Sequence, residues 1–215
     1  MSETSSPRPL VLAVPKGRVL AQLAPVLAQH GVDTADVLAD DRRLVRRDAK
    51  TNLAFLLLKP DDVPTYVEYG AADLGIVGRD VLLEREYDLY EPLDLGIGRC
   101  RMVVAGHRDR ALPRNRPVRV ATKFPRIAQR HFAQAGLAVE IIFVQGSVEI
   151  APLVGLADVI VDLVESGETL RQNGLAELET IVEVSSLVVV NRLSFKLHEP
   201  AVRALITALS ALARP

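Results

Sequence analysis

The chain has 215 residues, of which 49% are hydrophobic and 25% are charged, and its formal net charge is −1. This length can bury a substantial core in one domain or in two small ones. The balanced charge and the 4% aromatic content argue against general binding of nucleic acid or of an anionic membrane. The single cysteine, Cys100, leaves neither a disulfide framework nor a cysteine-based metal cluster.

The N-terminal segment Met1–Pro9 is polar and rich in serine and proline, unlike the apolar centre of a signal peptide. No apolar run in the sequence is long enough to cross a bilayer. We therefore expect a cytoplasmic protein that contacts neither a membrane nor nucleic acid.

The first predicted element is an apolar strand at Leu10–Val14, followed after a Pro/Gly corner by a helix over Val19–Gln29. Lys16 and Arg18 lie at this corner, where a strand gives way to a helix. There they can either meet the phosphates of a ligand or remain solvated charges, and the segment alone favours neither role.

The next segment, Asp33–Lys50, is rich in charge and contains Arg42; we predict that it is irregular or forms an edge strand. A second apolar strand follows at Leu53–Leu58 and ends at Lys59. The residues after it predict a helix over Val63–Gly70, because aspartates precede it and a proline stands in its first turn.

A third strand, Asp73–Gly78, leads to Asp80 at the start of the next predicted helix. This alternation of strands and helices predicts a mostly parallel sheet with right-handed crossovers. In such sheets ligands bind beyond the carboxyl ends of the strands. Since Lys16, Lys59 and Asp80 all follow strands, we expect them to converge on one cleft.

A second series of strands and helices follows without an intervening linker. Its predicted extended segments are Leu93–Ala105, Val118–Thr122, Glu140–Val144 and Thr180–Phe195, and its predicted helices are Pro125–Gln134, a short one opened by Gly146–Glu149, and Pro200–Ala213. Two such series joined by crossing strands predict two lobes. The first comprises residues 1–96 with 186–215, and the second comprises residues 97–185.

The stretch Asp158–Leu170 passes from an apolar, β-branched run into a polar loop and a brief helix. The loop offers backbone amides and hydroxyl groups, and Gly167 permits a positive φ and the close approach of a ligand. Such a loop at a helix N-terminus can bind an anion, and the acids Asp162 and Glu165 suit a phosphorylated sugar with a metal. Taken alone, the loop favours an ordinary strand–turn–helix corner with Thr169 as N-cap.

Five stretches together resemble the short-form ATP phosphoribosyltransferases, the family that opens histidine biosynthesis. They are Pro15–Arg18, Asp62–Asp80, Ala121–Lys123, Gly146–Leu153 and Asp158–Leu170. The resemblance runs in order from Leu10 to about Phe195, and the last stretch is the most specific part of it.

The resemblance implies an α/β fold of two lobes, each a mostly parallel sheet flanked by helices, like a type II periplasmic binding protein, with the active site in the inter-lobe cleft. The implied reaction converts ATP and 5-phosphoribosyl 1-pyrophosphate to N1-(5-phosphoribosyl)-ATP and pyrophosphate. Mg²⁺ would be bound mainly through the substrate phosphates, so no set of protein metal ligands is expected.

The resemblance also assigns residues by position. The loop that would cradle the 5′-phosphate of the donor comprises Glu165, Ser166, Gly167, Glu168, Thr169 and Leu170. Asp162 and Glu149 would face the ribose hydroxyls or magnesium-bound waters. The catalytic cations would be Lys16, Arg42 and Lys59, with Asp80 nearby for the nucleotide. Lys59 stands where the family pattern has an arginine; it keeps the charge and loses the bidentate fork.

Long forms of the resembled family carry a C-terminal histidine-sensing domain, for which this sequence has no residues after about Ala213. We therefore expect a separate regulatory subunit resembling histidyl-tRNA synthetase, and a homo-dimer of this chain within a hetero-oligomer. Two other classes remain open. One is a non-catalytic solute-binding module on the same fold, and the other is a phosphoribosyltransferase of the second common architecture, which would need a second acid where this chain has Leu163.

Overall fold

The computed structural model describes residues 8–213. Of the polar segment Met1–Pro9, only Arg8 and Pro9 belong to this range, so the prediction that it is no signal peptide lies outside the described residues. Within 8–213, no helix has both the length and the apolar character that crossing a membrane requires.

The order of elements alternates between strands and helices for much of the chain. The strands are β1 Leu10–Pro15, β2 Val45–Asp48, β3 Leu53–Leu58, β4 Leu74–Gly78, β5 Tyr90–Asp94, β6 Cys100–Gly106, β7 Val118–Thr122, β8 Val139–Phe143, β9 Val159–Val164, β10 Ala176–Val184 and β11 Ser186–Val190. The helices are α1 Arg18–Gln29, α2 Thr34–Leu38, α3 Val63–Glu68, α4 Arg79–Glu84, α5 Pro125–Gln134, α6 Ile150–Leu153, α7 Glu168–Gln172, α8 Arg192–Leu197 and α9 Glu199–Leu209.

The chain forms two compact units. Unit 1 contains the residues up to Leu82, the segment Glu86–Gly98 and the residues from Ser185 onward. Unit 2 contains Leu83–Arg85 and Arg99–Val184. Each unit has its own sheet and its own apolar core.

The sheet of unit 1 has the strand order β2-β3-β1-β4-β11-β5. Its centre, β3-β1-β4, is parallel, with Leu12 opposite both Phe55 and Leu74. These apolar strands are buried on both faces, as expected for parallel strands covered by helices. Side chains of α1 and α9 pack on one face, and Val63 and Val67 of α3 pack on the other.

The sheet of unit 2 has the order β10-β6-β9-β7-β8. The parallel part is β9-β7-β8, in which Thr122 lies opposite Val161 and Phe143. Helix α5 covers one face through Ile127 and Phe132. The other face packs against the short helices α6 and α7.

The prediction of two α/β lobes is confirmed, and each sheet is mixed. Strands β2, β5 and β11 in unit 1 and β6 and β10 in unit 2 pair antiparallel to their neighbours. The segments that were predicted as long extended chain supply most of these pairings, because they cross the sheets without an intervening helix.

The predicted extended segment Thr180–Phe195 is wrong at its end, because α8 begins at Arg192. The Asn191 side chain caps this helix by accepting hydrogen bonds from the backbone N–H groups of Leu193 and Ser194, at 3.0 Å each.

In both units, a buried aspartate just before a central strand fixes the start of that strand. Asp73, just before β4, accepts two hydrogen bonds from the Arg8 guanidinium and one from the Val11 N–H. Asp158, just before β9, accepts two from Arg116 at 2.7 Å and one from the Arg119 N–H at 2.9 Å. Each buried carboxylate thereby ties a strand to the backbone of its parallel neighbour.

Replacing Asp158 with asparagine is expected to lower the free energy of unfolding by about 2 kcal/mol at neutral pH, because it breaks a largely buried ion pair with a partly exposed arginine. Hydrogen bonds from Arg116 hold the pKa of Asp158 well below its usual range, against the effect of burial. A depressed pKa stabilises the folded chain above the unfolded-state pKa of aspartate, and this contribution is lost as the pH falls through the folded-state value.

Urea unfolding of the parent and of Asp158→Asn, at neutral pH and near pH 3, measures this contribution. The difference between the two proteins should be smaller at the lower pH. Asp109→Asn is the matched control, since Asp109 is exposed and makes no hydrogen bond within residues 8–213. Equal stability of parent and Asp158→Asn at neutral pH would contradict the role given to Asp158.

Candidate active site

In unit 1, the predicted cations collect at the carboxyl ends of the parallel strands. Lys16 follows β1, and Lys59 follows the adjacent strand β3. The Lys16 N–H donates to the Leu58 carbonyl at 3.2 Å, which fixes the two corners together. Both lysines are exposed, and neither side chain has a hydrogen bond or ion pair within the described range. This edge therefore presents two ammonium groups that are available to an anion.

Arg42 lies at the same edge, because β2 runs antiparallel to β3 and the Leu57 N–H donates to the Leu44 carbonyl at 2.8 Å. Two neighbouring arginines, Arg43 and Arg46, are already engaged with Asp41. Arg46 is 1% exposed and donates to Asp41 at 2.6 Å and 2.9 Å. Arg42 is exposed and makes no ion pair within residues 8–213. The structure thus brings a third cation beside the two lysines.

Asp80 lies in the first turn of α4, directly after β4, so it belongs to the same edge of the sheet. It is buried, with 8% of its surface exposed. A side chain at Gly78 would collide with the Asp80 carboxylate. The absence of a Cβ at Gly78 is therefore what allows the carboxylate to fold back against the end of the strand.

In unit 2, the polar loop follows β9 and has the open geometry that anion binding requires. Gly167 has φ +75°, in the left-handed region, and is the N-cap of α7. Within the described chain, the backbone N–H groups of Ser166, Gly167, Thr169 and Leu170 donate to no protein acceptor. The predicted N-cap, Thr169, is wrong: it lies inside α7, and its hydroxyl makes no hydrogen bond there.

The remaining residues of the loop differ in what they offer. Leu170 is 4% exposed and packs in the core of unit 2, so only its amide is available. Glu168 is bound within α7, where its carboxylate accepts from Arg171 and from the Gln172 amide. The carbonyl of Glu165 accepts from Arg101 at 3.5 Å. The loop is therefore fixed at both ends while its central amides stay open.

Two carboxylates lie beside the loop, near the ends of two strands that β7 separates. Asp162 is near the end of β9, and Glu149 follows β8 as the residue before α6. Burial raises the pKa of Asp162 above the usual value of a carboxyl, and the Glu149 carboxylate raises it further, against the lowering effects of the Leu163 N–H and the Lys123 ammonium. A bound hydroxyl group or cation would therefore stabilise the ionised form of Asp162.

Lys123 was not assigned a role from the sequence, although it follows β7, which lies between β8 and β9. Its position at a strand end next to Asp162 could have identified it. The turn that carries it is held by Thr122, whose buried hydroxyl donates to the Val161 carbonyl at 2.6 Å and accepts from the Phe124 N–H at 2.8 Å. Thr122 thus ties this turn to the residue that precedes Asp162.

The described residues contain no cluster of three or more histidine, cysteine or acidic side chains that could hold a metal ion. Several histidines make other contacts: His30 Nδ1 lies 2.8 Å from the Val26 carbonyl, His131 contacts Glu179, and His198 contacts Arg8. The carboxylates of Asp162 and Glu149 could instead contact a cation that enters together with a ligand.

Comparisons with known proteins agree on one family. The family model described as HisG, ATP phosphoribosyltransferase, matches residues 59–211. The chain is 58% identical over 204 residues to an ATP phosphoribosyltransferase of Sorangium cellulosum, covering 95% of this chain and 96% of that protein. It is 51% identical over 208 residues to an ATP phosphoribosyltransferase of Halorhodospira halophila, with 96% and 97% covered.

Among solved structures, the chain is similar to one in the ATP phosphoribosyl transferase (HisG:HisZ) complex from Thermotoga maritima. The TM-score is 0.82 at 37% identity, covering 94% of this chain and 98% of that one. It is also similar to the periplasmic aliphatic sulphonate binding protein SsuA from Escherichia coli, with a TM-score of 0.59 at 14% identity and 96% and 73% covered. The second likeness concerns the fold alone, which is of the type II periplasmic-binding-protein kind.

Proposed function

This chain belongs to the ATP phosphoribosyltransferase family, and from that premise we propose that it transfers the phosphoribosyl group of 5-phosphoribosyl 1-pyrophosphate to N1 of ATP, releasing pyrophosphate. This is the first step of histidine biosynthesis. The observation that carries the proposal is the loop after β9, whose four open amides lie beside the partly buried carboxylate of Asp162.

This reaction depends more on the positioning of the two substrates than on a strong base or a nucleophilic side chain. N1 of adenine already carries a lone pair, and the anomeric carbon gains oxocarbenium character as pyrophosphate departs. Holding the two reactants in line and stabilising the developing charges can supply most of the rate enhancement. A site built from open amides, hydroxyls, cations and a pair of carboxylates suits this task.

We assign the sugar donor to unit 2. The amides of Ser166, Gly167, Thr169 and Leu170 and the free Thr169 hydroxyl would donate to the 5′-phosphate, as an array of backbone N–H groups does in other anion sites. The Asp162 carboxylate would accept hydrogen bonds from ribose hydroxyls, which offsets the burial that raises its pKa. Its negative charge would also favour positive charge developing on the ribose ring.

We assign the pyrophosphate and the nucleotide phosphates to the cations of unit 1. Lys16, Arg42 and Lys59 are exposed at one edge of its sheet and have no partner within the described chain. Asp80, buried at the same edge, would help to orient the nucleotide. A departing pyrophosphate gains negative charge, so cations held ready at that edge stabilise the transition state more than the ground state.

Mg²⁺ fits the donor set of unit 2 as a cation that enters with its substrate. The Glu149 carboxylate raises the pKa of Asp162, so a cation near Asp162 is favourable. Mg²⁺ usually keeps several waters and binds through substrate phosphates, and these two carboxylates would receive those waters. When bound, the ion neutralises charge on the leaving pyrophosphate.

The product identifies the reaction. We expect the chain, incubated with ATP, 5-phosphoribosyl 1-pyrophosphate and Mg²⁺, to form a nucleotide whose mass equals ATP plus one phosphoribosyl group. Nuclear magnetic resonance should locate the new bond at N1 of adenine. Attachment at another atom would contradict the proposed acceptor, while binding of the donor without any product would favour a solute-binding role.

Lys59 tests the role of the unit 1 edge. If it acts on the pyrophosphate as a point charge, Lys59→Ala should lower turnover by about tenfold or more, because a hydrogen bond to a charged group contributes ~1.5–3 kcal/mol. Lys59→Arg should be tolerated or should improve turnover, since arginine keeps the charge and adds a bidentate fork. Steady-state kinetics with both substrates varied gives the comparison.

The matched control is Lys50→Ala, which removes another exposed lysine of unit 1, located in the turn between β2 and β3. Its kinetics should equal those of the parent. If Lys59→Ala also behaves like the parent, Lys59 is a solvated charge with no part in the reaction.

We also propose a regulatory partner. The similar chain from Thermotoga maritima is part of a HisG:HisZ complex, which supports a hetero-oligomer of this chain with a subunit of the HisZ kind. Allostery needs a second site that is coupled to the first, and in this arrangement the partner supplies the site for histidine. The isolated chain should then show turnover that histidine does not inhibit, whereas strong inhibition of the isolated chain would place the sensor within these 215 residues.

A further inference from the structure

A polar cavity borders the proposed donor loop, and its charged lining residues have no part in the reaction derived above. Its volume is about 460 Å³, and it is lined on its charged side by Arg101, Arg108, Arg171 and Glu177. Ser166 and Gly167 of the loop also line it. All of these residues belong to unit 2, so the cavity is a property of that unit alone.

The sheet order separates this cavity from the carboxylates that face the donor. Strand β9 has β6 and β10 on one side and β7 and β8 on the other. The cavity is lined by residues of β6 and β10, while Lys123 and Glu149 follow β7 and β8. The donor loop, which follows β9, therefore lies between two different polar environments.

The cavity has a fixed cationic wall. Arg101 binds Glu177 through two hydrogen bonds, of 3.2 Å from Nε and 2.8 Å from Nη2, and Nη1 reaches the Glu165 carbonyl at 3.5 Å. Its guanidinium is thus held between β10 and the start of the loop. Because Arg101 has five N–H donors, this arrangement leaves part of its donor capacity for a ligand.

Two further guanidinium groups complete the cavity. Arg108 is exposed and makes no hydrogen bond or ion pair within residues 8–213. Arg171 pairs with Glu168, and both side chains are more than half exposed, so water screens this pair and an anion can compete for the arginine. Three arginines against one lining carboxylate leave the cavity with an excess of positive charge.

We propose that this cavity is a second binding site, which takes a phosphate-bearing anion while the donor loop is occupied. Guanidinium groups match phosphate oxygens in geometry and charge, and the volume lies within the range of small-molecule sites. Because Ser166 and Gly167 border both environments, an anion in the cavity contacts the loop that holds the donor. Its binding is therefore coupled to donor affinity, and the coupling is reciprocal. The assignment of the loop to the donor rests on the proposed function.

Isothermal titration calorimetry tests the site with inorganic tripolyphosphate as the probe. The full chain is first saturated with 5-phosphoribosyl 1-pyrophosphate, without ATP, and tripolyphosphate is then added. We expect a further binding event that persists in Lys59→Ala, which removes a cation of the unit 1 edge and so separates the cavity from the proposed site of the nucleotide phosphates. Arg108→Gln and Arg171→Gln should each weaken it about tenfold, which corresponds to about 1.4 kcal/mol.

Arg110→Gln is the matched control, because Arg110 is exposed, follows Arg108 by two residues and does not line the cavity. It should leave tripolyphosphate affinity unchanged. Absence of the second event, displacement of the probe by the donor, or an equal loss in Arg110→Gln would each overturn the proposal. A parent chain that fails to bind the donor would contradict the proposed function instead, and loss of tripolyphosphate affinity in Arg108→Gln alone would still support the cavity.

Discussion

Gly167→Val is expected to weaken the binding of 5-phosphoribosyl 1-pyrophosphate by about a hundredfold. The residue has φ +75°, which costs a residue with a Cβ roughly 1–2 kcal/mol, and a β-branched side chain is the least suited to it. To escape this strain the loop must turn, and its open amides then lose their common direction. Each lost hydrogen bond to a phosphate costs ~1.5–3 kcal/mol. Calorimetric titration with the donor measures the loss.

Gly136→Val controls for strain, since Gly136 has φ +71° and open space around it but lies after α5, away from the loop. It should lower stability to a similar degree and leave donor affinity unchanged. Thr169→Ala removes a hydroxyl without introducing strain and should weaken the donor about tenfold. Unchanged donor affinity in both Gly167→Val and Thr169→Ala would remove this loop from the site.

Asp162→Asn is expected to lower turnover by about tenfold to a hundredfold and to increase stability at neutral pH. The loss follows because the amide removes the negative charge and one acceptor next to the ribose, worth ~1.5–3 kcal/mol. The gain follows because burial raises the pKa of Asp162. A carboxyl with a raised folded-state pKa destabilises the folded chain once the pH rises above the unfolded-state pKa, and the loss is complete above the folded-state pKa.

Urea unfolding of both proteins across this pH range and the pH profile of the donor KM test these two effects. The stability advantage of Asp162→Asn should disappear below the unfolded-state pKa of aspartate. In the parent, the donor KM should follow an ionisation above the usual carboxyl range, and the variant should lack it. A variant that is less stable than the parent at neutral pH and equally active would show that Asp162 is a structural residue.

Much of the fold could be predicted from local patterns. The bounds predicted for β3, β7 and α5 are confirmed, because apolar runs bounded by glycine, proline or charge identify buried strands, and helical spacing identifies α5. Helix α8 was not predicted, because its start depends on a single capping side chain, Asn191, within a segment that was interpreted as extended chain. The antiparallel pairings were also missed, since they depend on which distant segments meet, and periodicity carries no information about that.

Some features of the site could likewise be predicted from the sequence, and others could not. Lys16 and Lys59 could be placed at one sheet edge from their positions after strands, since parallel strands have their carboxyl ends together. The open amides of the loop could be inferred from its glycine and hydroxyl residues. The arginine cavity could not, because Arg101 and Glu177 are 76 residues apart and meet only through the pairing of β6 with β10.

Pyrophosphate release tests the central claim most directly. The purified chain is mixed with Mg²⁺ and with ATP, with 5-phosphoribosyl 1-pyrophosphate, with both or with neither, and free pyrophosphate is followed over the first turnovers. We expect release only when both substrates are present, with at least one equivalent per active chain, and a strong reduction of release in Gly167→Val. Release from the sugar donor without ATP, or no release when both substrates bind, would contradict it.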